Sequence, residues 1–174
     1  MTEVTRQIGV MGAVATWQAQ FEDLVARQAR FVFRVAYAVL RNSGDSEDVV
    51  QETFLRVFRR GRFDVDDERA FLARIAWRLA VDTRARGHRE AVAGHAAVAC
   101  VEAEVMAADR IAAVHRLIDS LPEELRQPLA LSTVDELTSG EIGKILGIAE
   151  GTVRTRLMRA RQLLKQKVEA GGMR

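Results

Sequence analysis

The sequence is poor in the residues that mark disulfide-rich, membrane-spanning or secreted proteins. Its 174 residues include a single cysteine and only two prolines. One cysteine excludes a disulfide within the chain, which suits a reducing compartment. No apolar run approaches the ~18 residues that a membrane span needs. The N-terminal segment, MTEVTRQIGVMGAVATW, lacks the long apolar stretch of a signal peptide. We therefore expect a cytoplasmic protein.

Motifs of the common enzyme active sites are also absent. The chain has no GxSxG, Walker loop, HExxH or CxxC pattern. His88, His95 and Cys100 do not have the spacing of a recurrent zinc site. We expect that the protein is not an enzyme and that it binds no metal, cofactor or small-molecule substrate.

The residues that are present predict an all-α protein. Strand-like alternation is rare, whereas apolar residues recur at intervals of three and four along most of the chain. A change to Ala, Val, Gly and scattered acids after residue 88 interrupts this periodicity. We predict two small helical domains joined by a flexible linker, the second a helix-turn-helix domain. The boundaries are a leader at 1–16, a first domain at 17–88, the linker at 89–107 and a second domain at 108–170.

Predicted helix ends follow from capping and turn residues. The first helix is expected from Thr16 to Leu40 after a frayed leader. The second is expected to start at Glu47 with Asp45 or Ser46 as its cap, with apolar residues from Val49 to Phe58 on its buried side. The third is expected over residues 69–86, capped by Asp66 or Asp67, with Phe71, Leu72, Ile75 and Leu79 in the core and Trp77 as a further candidate for it. In the second domain, a proline at residue 128 is expected to kink a helix.

The C-terminal stretch at 138–168 predicts two helices joined by a tight turn at Gly147. Thr138 or Ser139 can cap the first helix, and Glu150 opens the second. Val153, Leu157, Ala160 and Leu164 form one apolar stripe on the second helix. The opposite side offers residues suited to a DNA major groove: Thr152, Arg154, Thr155, Met158 and Arg159.

Charge distribution favours DNA binding at this end of the chain. The net charge is only +2, so nucleic-acid affinity must come from local patches. From Glu150 onward there are seven Lys and Arg residues, at 154, 156, 159, 161, 165, 167 and 174, against Glu150 and Glu169. The alternative is an ordinary amphipathic helix whose arginines are solvated.

Two further charged patches lie in the first half of the chain. An acidic patch surrounds the start of the second helix and consists of Asp45, Glu47, Asp48, Gln51 and Glu52. It either stabilises the positive helix end or forms a docking surface for a basic partner helix. A basic patch with an aromatic residue, Trp77, includes Arg74 and Arg78. It either follows a nucleic-acid backbone or is a solvated helix end.

Four motifs in this order resemble the bacterial extracytoplasmic-function (ECF) sigma factors. They are DSEDVVQETF at 45–54, FLARIA with LAVD at 71–82, LPEELR at 121–126, and EGTVRTRL with RAR at 150–161. The resemblance spans about residues 21–168. It implies a dissociable promoter-specificity subunit of RNA polymerase that initiates transcription at specific promoters. It also implies an anti-sigma partner, which can be membrane-bound.

The resemblance assigns roles to the three patches. The acidic patch would dock on the clamp of the largest polymerase subunit. The −10 DNA element would be read by Arg62, Phe63, Arg74, Trp77 and Arg78. The −35 element would be read by Thr152, Arg154, Thr155, Met158 and Arg159. Arg78 stands where most members of the family carry an asparagine.

Two other functions remain open from the sequence. A sigma mimic would bind an anti-sigma factor without binding promoters. A stand-alone helix-turn-helix regulator would bind DNA without polymerase, but it leaves the acidic patch unexplained. The presence of both the acidic and the basic patches favours the sigma factor.

Overall fold

The computed structural model of the protein describes residues 2–61, 65, 67–93, 113–134 and 137–170, and contains helices but no strand over those residues. Its helices are α1 (Thr2–Leu40), α2 (Ser43–Arg60), α3 (Glu68–Ala93), α4 (within 113–119), α5 (Glu123–Leu131), α6 (Ser139–Leu146) and α7 (Glu150–Ala170). The predicted all-α class is confirmed. Across these ranges, no helix combines the length and apolar character needed to cross a membrane. Contacts divide the chain into one unit that ends at Val81 and another that begins at Asp82.

The first unit is built around an antiparallel pair, α1 and α2. Phe21 of α1 contacts two rings on the last turns of α2, Phe54 at 6.3 Å and Phe58 at 5.0 Å between centroids. The buried apolar residues of this unit are Leu24, Phe31, Val32, Val35, Ala36, Val39, Val49, Phe54, Val57, Ala70, Leu72, Ala73, Ala76, Trp77, Leu79 and Ala80. The α3 contribution is rich in alanine, which lets that helix approach closely.

The junction between α1 and α2 differs from the prediction. Arg41 ends α1 in the left-handed region at φ 55°, with its amide bonded to the Tyr37 carbonyl at 2.9 Å. The cap of α2 is Asn42, whose Oδ1 accepts from the Asp45 amide at 3.0 Å. The predicted caps, Asp45 and Ser46, were therefore wrong. Both lie inside the first turn, where Ser46 is buried and donates its hydroxyl to the Asn42 carbonyl.

Two helices are longer than predicted. α1 begins at Thr2 instead of Thr16, so the expected frayed leader is wrong in this structure. No proline interrupts the chain there, and the composition allows the helix to continue. α3 ends at Ala93 and passes through Gly87, because an exposed glycine lowers helix stability without stopping the helix. The rest of the predicted linker lies outside the described residues.

The start of α3 is fixed to α1 by polar contacts. Asp67 caps the helix, as predicted, by accepting from the Ala70 amide at 2.9 Å. The Arg69 guanidinium lies 4.1 Å from the centre of the Phe31 ring. Arg27 donates to Asp23 at 2.7 Å and to Glu68 at 3.2 Å. Both hydrogen bonds raise the pKa of Arg27, and the bond to Asp23 has the larger effect.

The second unit contains the predicted helix-turn-helix. Thr138 and Glu141 form a capping box, with the Thr138 amide donating to Glu141 Oε2 at 2.8 Å. Gly147 ends α6 in the left-handed region at φ 71°, and Glu150 starts α7, so these predictions are confirmed. Leu121, Leu125 and Ala160 form a buried cluster between α5 and α7. Pro128 is buried inside α5, and the helix continues through it from Glu123 to Leu131.

A close backbone approach sets the distance between α6 and α7. A Cβ atom on Gly143 would lie 2.7 Å from the Ile148 carbonyl oxygen and 3.6 Å from the Glu150 amide nitrogen. The Ile148 amide also donates to the Gly143 carbonyl at 3.0 Å. Since backbone atoms cannot move aside as a flexible side chain can, only glycine fits at this position.

We expect Gly143→Ala to destabilise the second unit by about 1–3 kcal/mol, because the added methyl overpacks a rigid turn. Urea unfolding followed by circular dichroism measures this change. The matched control is Gly151→Ala, where a Cβ meets no atom within 4 Å. That control should leave stability unchanged or raise it by up to ~1 kcal/mol, since alanine favours a helix interior. Equal stabilities of the two variants would contradict the proposed fit.

Candidate interaction surfaces

The apolar stripe of α7 is buried, so the opposite side of this helix faces solvent. Val153, Leu157 and Ala160 are buried, and Leu164 is half-buried against the α5 cluster. All five predicted −35 residues are exposed on α7, and we call them the recognition face: Thr152, Arg154, Thr155, Met158 and Arg159. Met158 is 60% exposed, the highest value among the exposed large apolar side chains of the described residues.

The polar groups of the recognition face differ in how far they are already ordered. Thr155 donates its hydroxyl to the Gly151 carbonyl at 2.9 Å, which leaves its methyl group and oxygen lone pairs for a ligand. Arg154 forms an ion pair with Glu150, one turn earlier on α7. Arg159 has no hydrogen bond or ion pair with any part of the chain that the structure describes. A guanidinium of this kind can donate two parallel hydrogen bonds to a guanine edge.

The five predicted polymerase-docking residues lie together on the N-terminal half of α2. We call them the acidic face: Asp45, Glu47, Asp48, Gln51 and Glu52. Four are exposed and Glu52 is half-buried, with an ion pair to Arg56 at 2.7 Å. Only one acid, Asp45, lies in the first turn of α2. The stabilisation of a positive helix end therefore accounts for Asp45 and not for the whole face.

An apolar extension of the acidic face was missed by the sequence prediction. Leu55 is 40% exposed and Phe58 is 47% exposed. Phe58 was expected on the buried side, but it covers only an edge of Phe21 and leaves much of its ring in solvent. The helical spacing of Asp48, Gln51, Leu55 and Phe58 could have revealed this strip. Exposed apolar groups beside charges are typical of a docking surface.

The three predicted −10 residues that the structure describes do not form one surface. Arg74 and Arg78 are exposed on α3, one turn apart. Trp77, expected beside them, is only 6% exposed and belongs to the core of the first unit. Its assignment as a DNA-contacting ring is therefore wrong for this conformation, because a ring inside a packed core cannot stack on a base. Arg62 and Phe63 lie outside the described residues.

No metal-binding constellation occurs within the described ranges. There, no group of three or more His, Cys, Asp or Glu side chains is arranged to hold a metal ion. His95 and Cys100, and the side chain of His88, lie outside what the structure describes.

Sequence comparisons connect both units with known proteins. Residues 24–90 match the family model described as Sigma-70 region 2, and residues 111–164 match that of Sigma-70, region 4. The chain is 35% identical to the ECF RNA polymerase sigma factor SigE of Mycolicibacterium smegmatis, over 94% of this chain and 66% of that protein. It is 30% identical to the ECF RNA polymerase sigma factor SigW of Bacillus subtilis, over 87% of this chain and 90% of the relative.

Comparison of folds gives a consistent result. The solved structure of CnrH, in complex with the cytosolic domain of CnrY, covers 92% of this chain, and 94% of that chain is matched. The TM-score is 0.64 and the sequence identity is 24%. This similarity concerns the fold alone.

The different positions of Trp77 and Arg78 predict different consequences of their removal. We expect Trp77→Ala to destabilise the first unit by about 3–5 kcal/mol, because it empties a large core volume. Arg78→Ala is the adjacent control and should change stability by no more than ~0.5 kcal/mol, since its side chain is exposed. Thermal unfolding of both variants measures this difference. Normal stability of Trp77→Ala would contradict the core position of the ring.

Proposed function

The chain belongs to the ECF RNA polymerase sigma factors, and on that basis we propose that it binds core polymerase and directs initiation at specific promoters. The observation that carries the proposal is the pair of surfaces on one chain. The acidic face lies in the unit that matches Sigma-70 region 2, and the recognition face lies in the unit that matches Sigma-70, region 4. A protein that only bound DNA would need just the second surface.

We assign core-polymerase binding to the acidic face and its apolar extension. Asp48 and Gln51 have no partner within the described parts of the chain, so both are available to another protein. Leu55 and Phe58 continue the same side of α2 with apolar area. A basic, amphipathic helix on the clamp of the largest polymerase subunit would complement this combination of charge and apolar contact.

We assign −35 recognition to the recognition face. The N-terminal part of a second helix in a helix-turn-helix contacts base edges in the major groove. Arg154, Thr155 and Arg159 supply the donors and the methyl group that such edges bind. Met158, at the centre of this face, has apolar surface that suits a thymine methyl group.

We assign −10 contacts to Arg74 and Arg78 on the exposed side of α3. Both are cationic and suited to phosphates or base edges. Arg62 and Phe63 remain part of the proposal as residues of the preceding loop. Trp77 is left out, because its buried ring supports this helix from behind.

Partners and setting follow from family membership. We propose an anti-sigma partner, which can be membrane-bound, and a cytoplasmic location. We assign no catalytic step to this chain, because transcription chemistry belongs to the core polymerase. A mimic that only binds an anti-sigma factor would have no need of an exposed, unpaired Arg159 on α7.

Run-off transcription tests the proposed function directly. The full chain is mixed with core polymerase from its own organism and a library of genomic promoter fragments. Enriched transcripts with a shared upstream sequence are expected. The absence of any transcript, together with retained anti-sigma binding, would favour the mimic.

Reversal of charge on the acidic face should abolish core binding. We expect Asp48→Arg to lose capture by core polymerase, because a cation would face the basic partner helix. The change is measured by pull-down of core enzyme. Glu123→Arg is the matched control, since it makes the same type of charge change on exposed α5. Capture of Asp48→Arg at the control level would refute the docking surface.

Loss of the unpaired arginine should relax −35 selectivity. We expect Arg159→Ala to reduce discrimination at one −35 base pair by ~1–3 kcal/mol. Holoenzyme binding to duplexes with single base changes measures it. Arg161→Ala is the comparison, because loss of a phosphate contact would lower affinity for all sequences and reduce the salt slope by about one. Equal losses on all sequences for Arg159→Ala would contradict base reading by Arg159.

A further inference from the structure

We propose that Glu150 is a positioning residue that orders Arg154 for base reading, so that it raises sequence selectivity while lowering affinity for DNA in general. The inference rests on the proposed function of the recognition face. It concerns Glu150, a residue outside that face.

The Glu150 carboxylate has two neighbours. One oxygen, Oε1, accepts a hydrogen bond from Nη2 of Arg154. The other, Oε2, lies 3.7 Å from the position that a Cβ on Gly140 would occupy. Glu150 therefore extends back over the first turn of α6 while it holds the guanidinium of α7. Because Gly140 has no side chain, the carboxylate can lie against that turn.

Stability alone gives a weak reason for this arrangement. An exposed ion pair at i and i+4 adds little to stability, and both side chains are substantially exposed, at 48% for Glu150 and 68% for Arg154. A carboxylate at a helix N-terminus gains a similar amount. Glu150 is the first residue of α7 and not its cap, because the Val153 amide bonds to the Ala149 carbonyl, so the start of the helix does not require a carboxylate here.

The position of Glu150 is unfavourable for DNA affinity. It lies at the end of α7 that enters the groove in a helix-turn-helix complex, and a carboxylate there repels the phosphates. The only other acid on α7 is Glu169, at the opposite end of the helix. An acid at this position weakens DNA binding. Positioning of the Arg154 guanidinium is the benefit that offsets this loss.

Arg154 and Arg159 thus differ in how far their side chains are ordered before DNA binds. Arg159 has no partner in the described chain and must be ordered when DNA binds. Arg154 is restrained beforehand, so less conformational freedom is lost when its guanidinium contacts a base. A restrained guanidinium also reaches fewer alternative base edges, which increases the difference between correct and incorrect sequences.

The test uses Glu150→Gln in holoenzyme assembled from the full chain and core polymerase. Binding is measured on promoter duplexes with a randomised −35 element, and the bound fraction is sequenced. Arg154→Ala first identifies the base pairs that Arg154 reads. At those base pairs we expect Glu150→Gln to reduce the preference about twofold, the size of effect that an exposed i, i+4 ion pair can supply. Binding to a duplex without a promoter should increase, because the carboxylate no longer repels the phosphates.

Glu169→Gln is the matched control. It removes the same charge from the same helix and also breaks an i, i+4 ion pair, that of Glu169 with Lys165 at 3.9 Å. It should leave every base preference unchanged. A general effect of charge would appear in both variants, whereas positioning of Arg154 appears only in Glu150→Gln.

The outcomes separate the inference from the proposed function. If the wild-type holoenzyme selects no −35 sequence, the proposed function fails. If the wild type selects a sequence and Arg154→Ala alters it, unchanged preferences in Glu150→Gln would overturn the inference. Equal flattening at the base pairs of Arg154 and Arg159 would also overturn it, because a disturbed helix would then explain the loss. Selective flattening at the Arg154 positions would support it.

Discussion

The arrangement of the second unit depends on the contact between Gly143 and the Ile148 carbonyl. At this contact two backbone segments approach more closely than any side chain would allow. The left-handed Gly147 then turns the chain, and α7 starts at Glu150. With the turn fixed, burial of Val153, Leu157 and Ala160 leaves only one side of the first half of α7 in solvent. The orientation of the recognition face is therefore a consequence of backbone packing, and the face itself is free to vary in sequence.

The first unit reaches a similar result through small side chains. Four alanines on α3 are buried, and Trp77 fills the volume beside them. Because the apolar side of α3 is fully used in this way, Arg74 and Arg78 are turned outward. α2 is used differently, since Leu55 and Phe58 remain exposed beside the acidic residues. A helix that leaves apolar area in solvent has spare binding capacity, whereas α3 offers mainly charge.

Features set by a few neighbouring residues could be predicted from the sequence. The Thr138 capping box, the Gly147 turn and the stripe on α7 each follow from local chemistry. Features that depend on a choice between several suitable residues, or on packing against residues distant in the sequence, could not be predicted. Asn42, Asp45 and Ser46 are all good caps, and only the fold decides that Asn42 is used. Trp77 lies on a helix with both apolar and basic neighbours, so periodicity alone could not assign its ring to the core. The ion pair of Glu150 with Arg154 could also have been predicted, because the two residues are four positions apart on one helix.

The modest net charge of +2 is consistent with a division of work between the proposed partners. A protein that finds DNA alone needs many cations, and each acid near the interface weakens binding. In a holoenzyme, the polymerase would supply much of the sequence-independent affinity. The recognition face could then include an acidic neighbour such as Glu150, because a loss of general attraction matters less than a gain in discrimination. By the same reasoning, the acidic face could dock on a basic partner without competing with DNA contacts. Opposite charges on separate helices thus allow one small chain to bind two partners of opposite sign.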